Sequence, residues 1–153
     1  MNVLFVCQGN TCRSPLAEGI LKKLFTEVNR SGLISSAGFE SNNVGKQADP
    51  RAIITAARNG IDISKQKARL FSPQDFGNYD KIFAMDSVIL QKIVATAESD
   101  KDLLKTDLLL NLIDPGSNGD VPDPYDGNLS NYETVFEMID NACRILIQQS
   151  DYE

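Results

Sequence analysis

The sequence contains no histidine. Without imidazole, Ser-His-Asp and Cys-His catalysis are excluded, and so is a histidine-ligated zinc site. Any nucleophile here needs another activator. Cysteine is scarce as well, with three in 153 residues. The chain opens on Met1-Asn-Val-Leu-Phe-Val6, which has no basic leader and reads as core. An odd cysteine count after such a start argues against a disulfide framework and for a reducing compartment, so a cytoplasmic location is expected. Long apolar runs are missing too. Asp107 to Ile113 is the longest and is interrupted, whereas a membrane span needs roughly 18 residues. Basic residues are in deficit, with 15 Lys+Arg against 21 Asp+Glu and a net charge of −6. Nucleic-acid binding relies on Lys and Arg to neutralise phosphates. Neither nucleic acid nor membrane is therefore an expected partner.

What remains is an ordinary globular composition, 42% hydrophobic and 24% charged, of the size of one domain over residues 1–153. Asn2 to Val6 reads as a buried strand, and Cys7 to Ser14 as a polar, glycine-containing loop. Pro15 opens a helical pattern with Leu16, Ile20, Leu21, Leu24 and Val28 on one face and Ser14 as its cap. Leu33 to Ala37 reads as a second strand. Asp49-Pro50 starts a helix that carries Ile53, Ile54 and Ala57 and stops near Asn59-Gly60. Tyr79 to Ala84 is a strand, Ser87 to Ala97 a helix with Ile89, Leu90, Ile93 and Val94 inward, and Leu108 to Ile113 a strand. Ser130-x-x-Glu133 is a capping box before a last helix whose apolar face holds Val135, Phe136, Ile139, Ala142, Cys143 and Leu146. Strands alternating with helices predict an α/β three-layer sandwich. Its central parallel sheet of about four strands has helices on both faces and a phosphate-binding loop after the first strand. The stretch from Asp114 to Asn128 is long for a structureless loop, and such loops tend to be functional.

The chemistry concentrates in Cys7-Gln8-Gly9-Asn10-Thr11-Cys12-Arg13-Ser14. A loop leaving a strand's carboxyl end and entering a helix N-terminus is where α/β folds bind ligands and where backbone N–H groups meet anions. Five residues between Cys7 and Arg13 suffice to curl the chain into a ring of donors. A tetrahedral dianion fits such a ring, with Cys7 beneath it and the Arg13 fork on two oxygens. Gly9 is expected to supply a backbone angle that other residues avoid, and Asn10 to tolerate a left-handed turn. The donors, the helix dipole, Arg13 and the Ser14 hydroxyl together favour a thiolate, which makes a cysteine a nucleophile without histidine. Asp123, stiffened by Pro122 and Pro124 inside the long loop, is the candidate proton donor, with Asp126 as the local rival. Tyr125 is placed to wall a pocket. No cofactor is required, and no residue cluster has metal-ligand spacing.

Residues 3–18, Val-Leu-Phe-Val-Cys-Gln-Gly-Asn-Thr-Cys-Arg-Ser-Pro-Leu-Ala-Glu, resemble the low-molecular-weight protein tyrosine phosphatases. The resemblance continues through Ser35-Ser-Ala-Gly38, Val44-Gly45, Asp49-Pro-Arg-Ala52, Lys67-Ala-Arg69, Asp75-Phe76, Ala84-Met-Asp86 and Asp123-Pro-Tyr-Asp-Gly127, in family order along essentially the whole chain. It implies a phosphatase acting on phosphotyrosine proteins or peptides through a cysteinyl-phosphate and releasing inorganic phosphate. Cys7, Arg13 and Asp123 would be catalytic, and residues 8–14 would bind phosphate. It also implies pocket walls near Phe39, Asn42, Tyr125 and Asp126. Asn42 stands where members often carry an aromatic, Asp126 where a second tyrosine is often seen, and Gln66 where many carry a histidine. Asn10 and Ser36 match positions that brace the loop. Cys12 matches a cysteine that pairs reversibly with the nucleophile. Thr11 resembles the branch that acts on phosphoarginine, which leaves that substrate as the alternative. A thioredoxin-coupled arsenate reductase is a more distant one, since beyond the loop only Cys143 remains, on the core face of a helix. The acidic net charge is expected to disfavour strongly acidic phosphopeptides through long-range repulsion.

Overall fold

The structure, a computed structural model, describes residues 1–150. Four strands, β1 (Val3–Val6), β2 (Ile34–Ala37), β3 (Lys81–Ala84) and β4 (Thr106–Leu108), form a parallel sheet in the order β2-β1-β3-β4. All four residues of β1 are buried, as expected of a short apolar run covered on both faces. Helices α1 (Arg13–Glu27), α2 (Pro50–Arg58) and α6 (Leu129–Ser150) pack with Val3 and Phe5 on one face. The other face packs Leu4, Val6, Ile82 and Ala84 against Phe76 of α3 (Asp75–Asn78) and Ile89 and Ile93 of α4 (Ser87–Thr96). The predicted three layers are therefore present.

The strand order positions the site. From β1 the chain crosses to β2 on one side, whereas β3 lies on the other. Val6 is in register with both Ala37 and Ala84, so all three strands end at one sheet edge. The loops after β1 and β3 diverge there, opening the crevice in which α/β sheets bind ligands.

Several boundaries differ from the sequence expectation. Helix α1 begins at Arg13, and its cap position is Cys12, with no side-chain cap bond. The Ser14 hydroxyl is taken by Asn10 and Cys7 instead. Only Leu108 of the predicted strand 108–113 is in the sheet, and Leu109–Leu112 turn as a 3₁₀ helix. Asp107 Oδ1 accepts from the Leu108 N–H and from Asn111 Nδ2, which closes that turn. Helix α5 (Asp100–Leu104), capped by Ser99, is too short to leave a periodic signal. Helix α2 buries Ala52, Thr55 and Ala56, leaving Ile54 exposed, because small residues let it pack closely. Val28 and Val94 are likewise exposed. In α6 the reciprocal cap is made by Asn128 and Asn131, each side chain accepting the other's N–H at 3.2 and 2.9 Å, rather than by Ser130 and Glu133. The Asp49-Pro50 start is as expected, with Asp49 Oδ1 accepting the Arg51 N–H at 2.9 Å.

Candidate active site

Cys7 directly follows β1, and its side chain is buried. Its Sγ accepts the Asn10 N–H at 3.2 Å and lies 3.0 Å from Ser14 Oγ. The loop wraps around that sulfur because Asn10 adopts a left-handed φ of 54°, a conformation asparagine tolerates better than most residues. The Asn10 side chain is used completely. Nδ2 donates to Ser14 Oγ at 2.8 Å and Ser36 Oγ at 2.9 Å, and Oδ1 accepts the Arg69 N–H at 2.9 Å. The Ser36 hydroxyl donates to Glu18 Oε1 at 2.8 Å, and Lys22 donates to Glu18 Oε2. A polar network inside a buried shell fixes one loop conformation.

Gly9 does not adopt the left-handed angle expected of it, and its importance is clearance. A Cβ there would meet Asn43 Nδ2 at 3.1 Å, the same amide that donates to the Gly9 carbonyl at 3.0 Å. Gly38 is tighter still, since its Cβ would meet the Gln8 carbonyl at 2.8 Å. The loop thus lies directly on the end of β2. The N–H groups of Gln8, Gly9, Thr11 and Cys12 donate to no acceptor among the described residues. Buried or half-buried, such donors require a partner from outside the chain.

Arg13 is 3% exposed. Its Nη1 donates to Asp86 Oδ2 at 2.8 Å and to the Val121 carbonyl at 2.9 Å, while Nη2 faces Asp123 Oδ2 at 3.8 Å. The Asp123 carboxylate is half exposed and accepts the Tyr125 N–H at 3.1 Å through Oδ1, a local turn that holds it at the mouth. A cavity of about 40 Å³ is lined by Cys7, Gly9, Thr11, Cys12, Arg13, Asp123 and Tyr125. Nucleophile candidate, guanidinium and acid candidate, far apart in sequence, therefore share one small space.

Other predicted residues lie further out. Asn10 and Ser14 brace the loop from behind. Gln8 turns its side chain to Lys92, which donates to Oε1 at 2.7 Å. The Phe39 ring packs on Phe71 at 5.6 Å and does not line the cavity. Asn42 sits exposed in the 3₁₀ turn Ser41–Asn43, and its neighbour Asn43 reaches the loop instead. Asp126 is exposed and outside the lining. Cys143 is fully buried in the core under α6, where burial pushes its thiol well above the usual range. Cys12 is buried with Sγ 3.3 Å from the Tyr132 hydroxyl, and desolvation pushes its thiol up to about 11, so it is protonated at neutral pH. Gln66 keeps a buried Oε1 without a partner, near Gly19 of α1.

Sequence reasoning missed Asp86 and Arg51. Asp86 was detectable in principle, since it follows β3 and so leaves the same sheet edge as Cys7. Arg51 gave no such signal, because apart from the neighbouring Asp49 its partners come from two distant segments, the Asp123 loop and α6. Its Nε and Nη2 grip both oxygens of Asp49 at 3.0 and 2.9 Å, its Nη1 donates to the Gly127 carbonyl at 2.9 Å, and its plane lies over Tyr132 and Tyr125.

Parallel α/β sheet, switch-point loop and a cysteine ringed by free amides define a class, the α/β proteins built around a cysteine-bearing anion loop. Within that class the chain belongs to the low molecular weight phosphotyrosine protein phosphatase family, whose model matches residues 2–153. It is 36% identical over 150 residues to the low molecular weight phosphotyrosine protein phosphatase of Sus scrofa, covering 97% of this chain and 94% of that one. Among solved structures it superposes on a protein tyrosine phosphatase from Entamoeba histolytica with a TM-score of 0.92 and 30% identity, covering 99% and 97% of the two chains. A Drosophila arginine phosphatase is similar with a TM-score of 0.90 and 33% identity over 98% of each chain.

Proposed function

We propose that this chain is a single phosphatase domain that hydrolyses phosphotyrosine in proteins or peptides through a cysteinyl-phosphate. The observation that carries the reading is the convergence of Cys7, Arg13, Asp123 and the unpaired loop amides on one cavity. In the first step the Cys7 thiolate attacks phosphorus in line and the bond to the tyrosyl oxygen breaks, while Asp123 gives that oxygen a proton. In the second, Asp123 as carboxylate takes a proton from water, which attacks phosphorus; the sulfur–phosphorus bond breaks, Cys7 leaves as the thiolate and inorganic phosphate is released. Arg13 and the loop amides hold the equatorial oxygens in both steps, and they bind the spread charge of the transition state better than the ground state. No step calls on a metal or cofactor. Tyr125 supplies an aromatic wall beside the leaving group. A cytoplasmic, reducing location belongs to the same reading, supported by three unpaired cysteines. So does reversible protection of Cys7 by Cys12, supported by their common place in the cavity lining.

One observation favours a second substrate. The Thr11 side chain lies at the cavity, where its hydroxyl can meet a polar guanidinium phosphate, and an arginine phosphatase is among the similar structures. The deciding experiment compares kcat/KM on phosphotyrosine and phosphoarginine peptides of matched sequence, with Cys7→Ser as blank. A phosphotyrosine preference that vanishes in the blank supports the reading. Phosphoarginine preference transfers the same mechanism to the other substrate and makes Thr11 the selecting residue. Activity that survives Cys7→Ser on either peptide would falsify the mechanism.

A further inference from the structure

The segment carrying Asp123 has few attachments. From Val121 to Gly127, its hydrogen bonds to the rest of the described residues are three. The Val121 N–H donates to the Met85 carbonyl at 2.8 Å, Arg13 Nη1 donates to the Val121 carbonyl at 2.9 Å, and Arg51 Nη1 donates to the Gly127 carbonyl at 2.9 Å. Two of these hold the near end. The far end depends on Arg51, whose plane also lies 5.7 Å from the Tyr125 ring.

Arg51 is itself immobilised from the nucleophile's side. Asp49 grips its guanidinium with both oxygens, at 3.0 and 2.9 Å, and the Asp49 N–H donates to the Thr11 carbonyl of the phosphate loop at 2.8 Å. The guanidinium carbon lies over Tyr132, 4.8 Å from the ring centroid, and the Tyr132 hydroxyl meets Cys12 Sγ at 3.3 Å. Arg51 therefore joins the loop that bears Cys7 to the loop that bears Asp123. Planarity suits it to the task, since one guanidinium can make a fork, a carbonyl bond and two ring contacts at once, which an ammonium cannot.

We propose that Arg51 is a positioning residue for the general acid. It does not line the cavity, and it acts by holding the Pro122–Gly127 segment so that the Asp123 carboxylate stands over the leaving oxygen. The inference rests on the reading of Asp123 as proton donor. A misplacement of about 1 Å can cost on the order of 100-fold, and the loss falls only on substrates that need the proton.

The test is leaving-group dependence. The kcat/KM of wild type, Arg51→Leu and Asp123→Asn is measured on a series of aryl phosphates, from strongly acidic phenols to unsubstituted phenol. This parameter reports phosphoryl transfer to Cys7 and not the later hydrolysis. Arg51→Leu is expected to lose less than about threefold where the phenolate leaves unaided and about 10- to 100-fold on phenyl phosphate, steepening the dependence in the manner of Asp123→Asn. Arg51→Gln, which keeps a single amide donor, serves if the leucine variant does not fold, with the same slope as the readout. An equal loss on every substrate, or none, overturns the proposal while Asp123→Asn remains steep. A flat series for Asp123→Asn removes the acid reading itself and the proposal with it.

Discussion

Asp86 Oδ2 accepts a hydrogen bond from Arg13 Nη1 at 2.8 Å, so the pocket's guanidinium is held by a carboxylate that follows the strand beside the nucleophile's own. Arg13 is almost wholly buried, and the pair leaves Nη2 as the nitrogen turned toward Asp123. Hydrogen bonds to charged groups contribute about 1.5–3 kcal/mol. Asp86→Ala is therefore expected to weaken binding of inorganic phosphate about 10- to 100-fold by calorimetry, since each ~1.4 kcal/mol is tenfold. Asp86 Oδ1 also caps α4 by accepting the Ile89 N–H at 2.9 Å, so the variant should lose stability by about 1 kcal/mol as well. Asp86→Asn keeps an acceptor for the cap and separates the two effects. Unchanged phosphate binding in Asp86→Ala would show that the Val121 carbonyl alone orients Arg13.

Asn10 combines a left-handed backbone with three side-chain hydrogen bonds. Alanine loses both, whereas glycine loses only the side chain. The left-handed angle costs a residue with a Cβ about 1–2 kcal/mol. Asn10→Ala is accordingly expected to be less stable than Asn10→Gly by about 1 kcal/mol in urea unfolding. Both variants should fall well below wild type in phosphatase activity, because Ser14 and Ser36 lose the same donor. Equal stabilities would mean the loop relaxes out of its left-handed turn when the amide is gone.

The part of this site that was legible in the sequence is the part built locally. Cys7 to Ser14 lies between a strand and a helix, so eight consecutive residues announce an anion loop, and the family resemblance, with prolines on both sides, points to Asp123. The α/β layering followed from the fully buried run Val3–Val6 and from the alternation of elements. Contacts made across the sheet edge were not legible. Asp86 and Arg13 are 73 positions apart, and Arg51 meets Gly127 across 76. Neither pairing leaves a periodicity or a spacing to read. The misplaced strand at Leu108–Ile113 has a different cause. Its leucines satisfy a β pattern, but Asp107 accepts from the Leu108 N–H and Asn111 Nδ2 and draws Leu109–Leu112 into a turn.

Asp49 couples this architecture to pH. Hydrogen bonds from the Arg51 side chain hold its carboxyl below the usual range, against an opposing effect of burial. The folded state thus binds that proton more weakly than the unfolded state does. The resulting stability is complete above the ordinary carboxylate value near 4 and is lost as pH falls through the folded value. Replacing Asp49 by Asn removes this dependence while retaining a good helix cap. Urea midpoints at pH 7 and pH 3 are expected to differ less for Asp49→Asn than for wild type. A gap as wide as in wild type would assign the acid sensitivity to other carboxylates.

Lys92 qualifies the expectation that acidic peptides are poor substrates. Net charge repels them at long range, but this lysine stands beside the loop, bonded to Gln8 at 2.7 Å and lying over Phe39 at 5.7 Å. It forms no ion pair among the described residues, so its charge remains available to a carboxylate flanking the phosphorylated side chain. Exposed ion pairs contribute about 0.2–1 kcal/mol, and charge reversal adds a repulsion of similar size. Lys92→Glu is therefore expected to lower kcat/KM about three- to tenfold for a peptide with a glutamate beside the phosphorylated residue, relative to one with a lysine there. Activity on phenyl phosphate should hardly change. The discrimination should shrink at about 1 M salt, where screening acts within roughly 3 Å. If the ratio is the same in both proteins at low salt, the charge felt by the substrate is that of the whole molecule, and Lys92 serves only to pack Gln8 against Phe39.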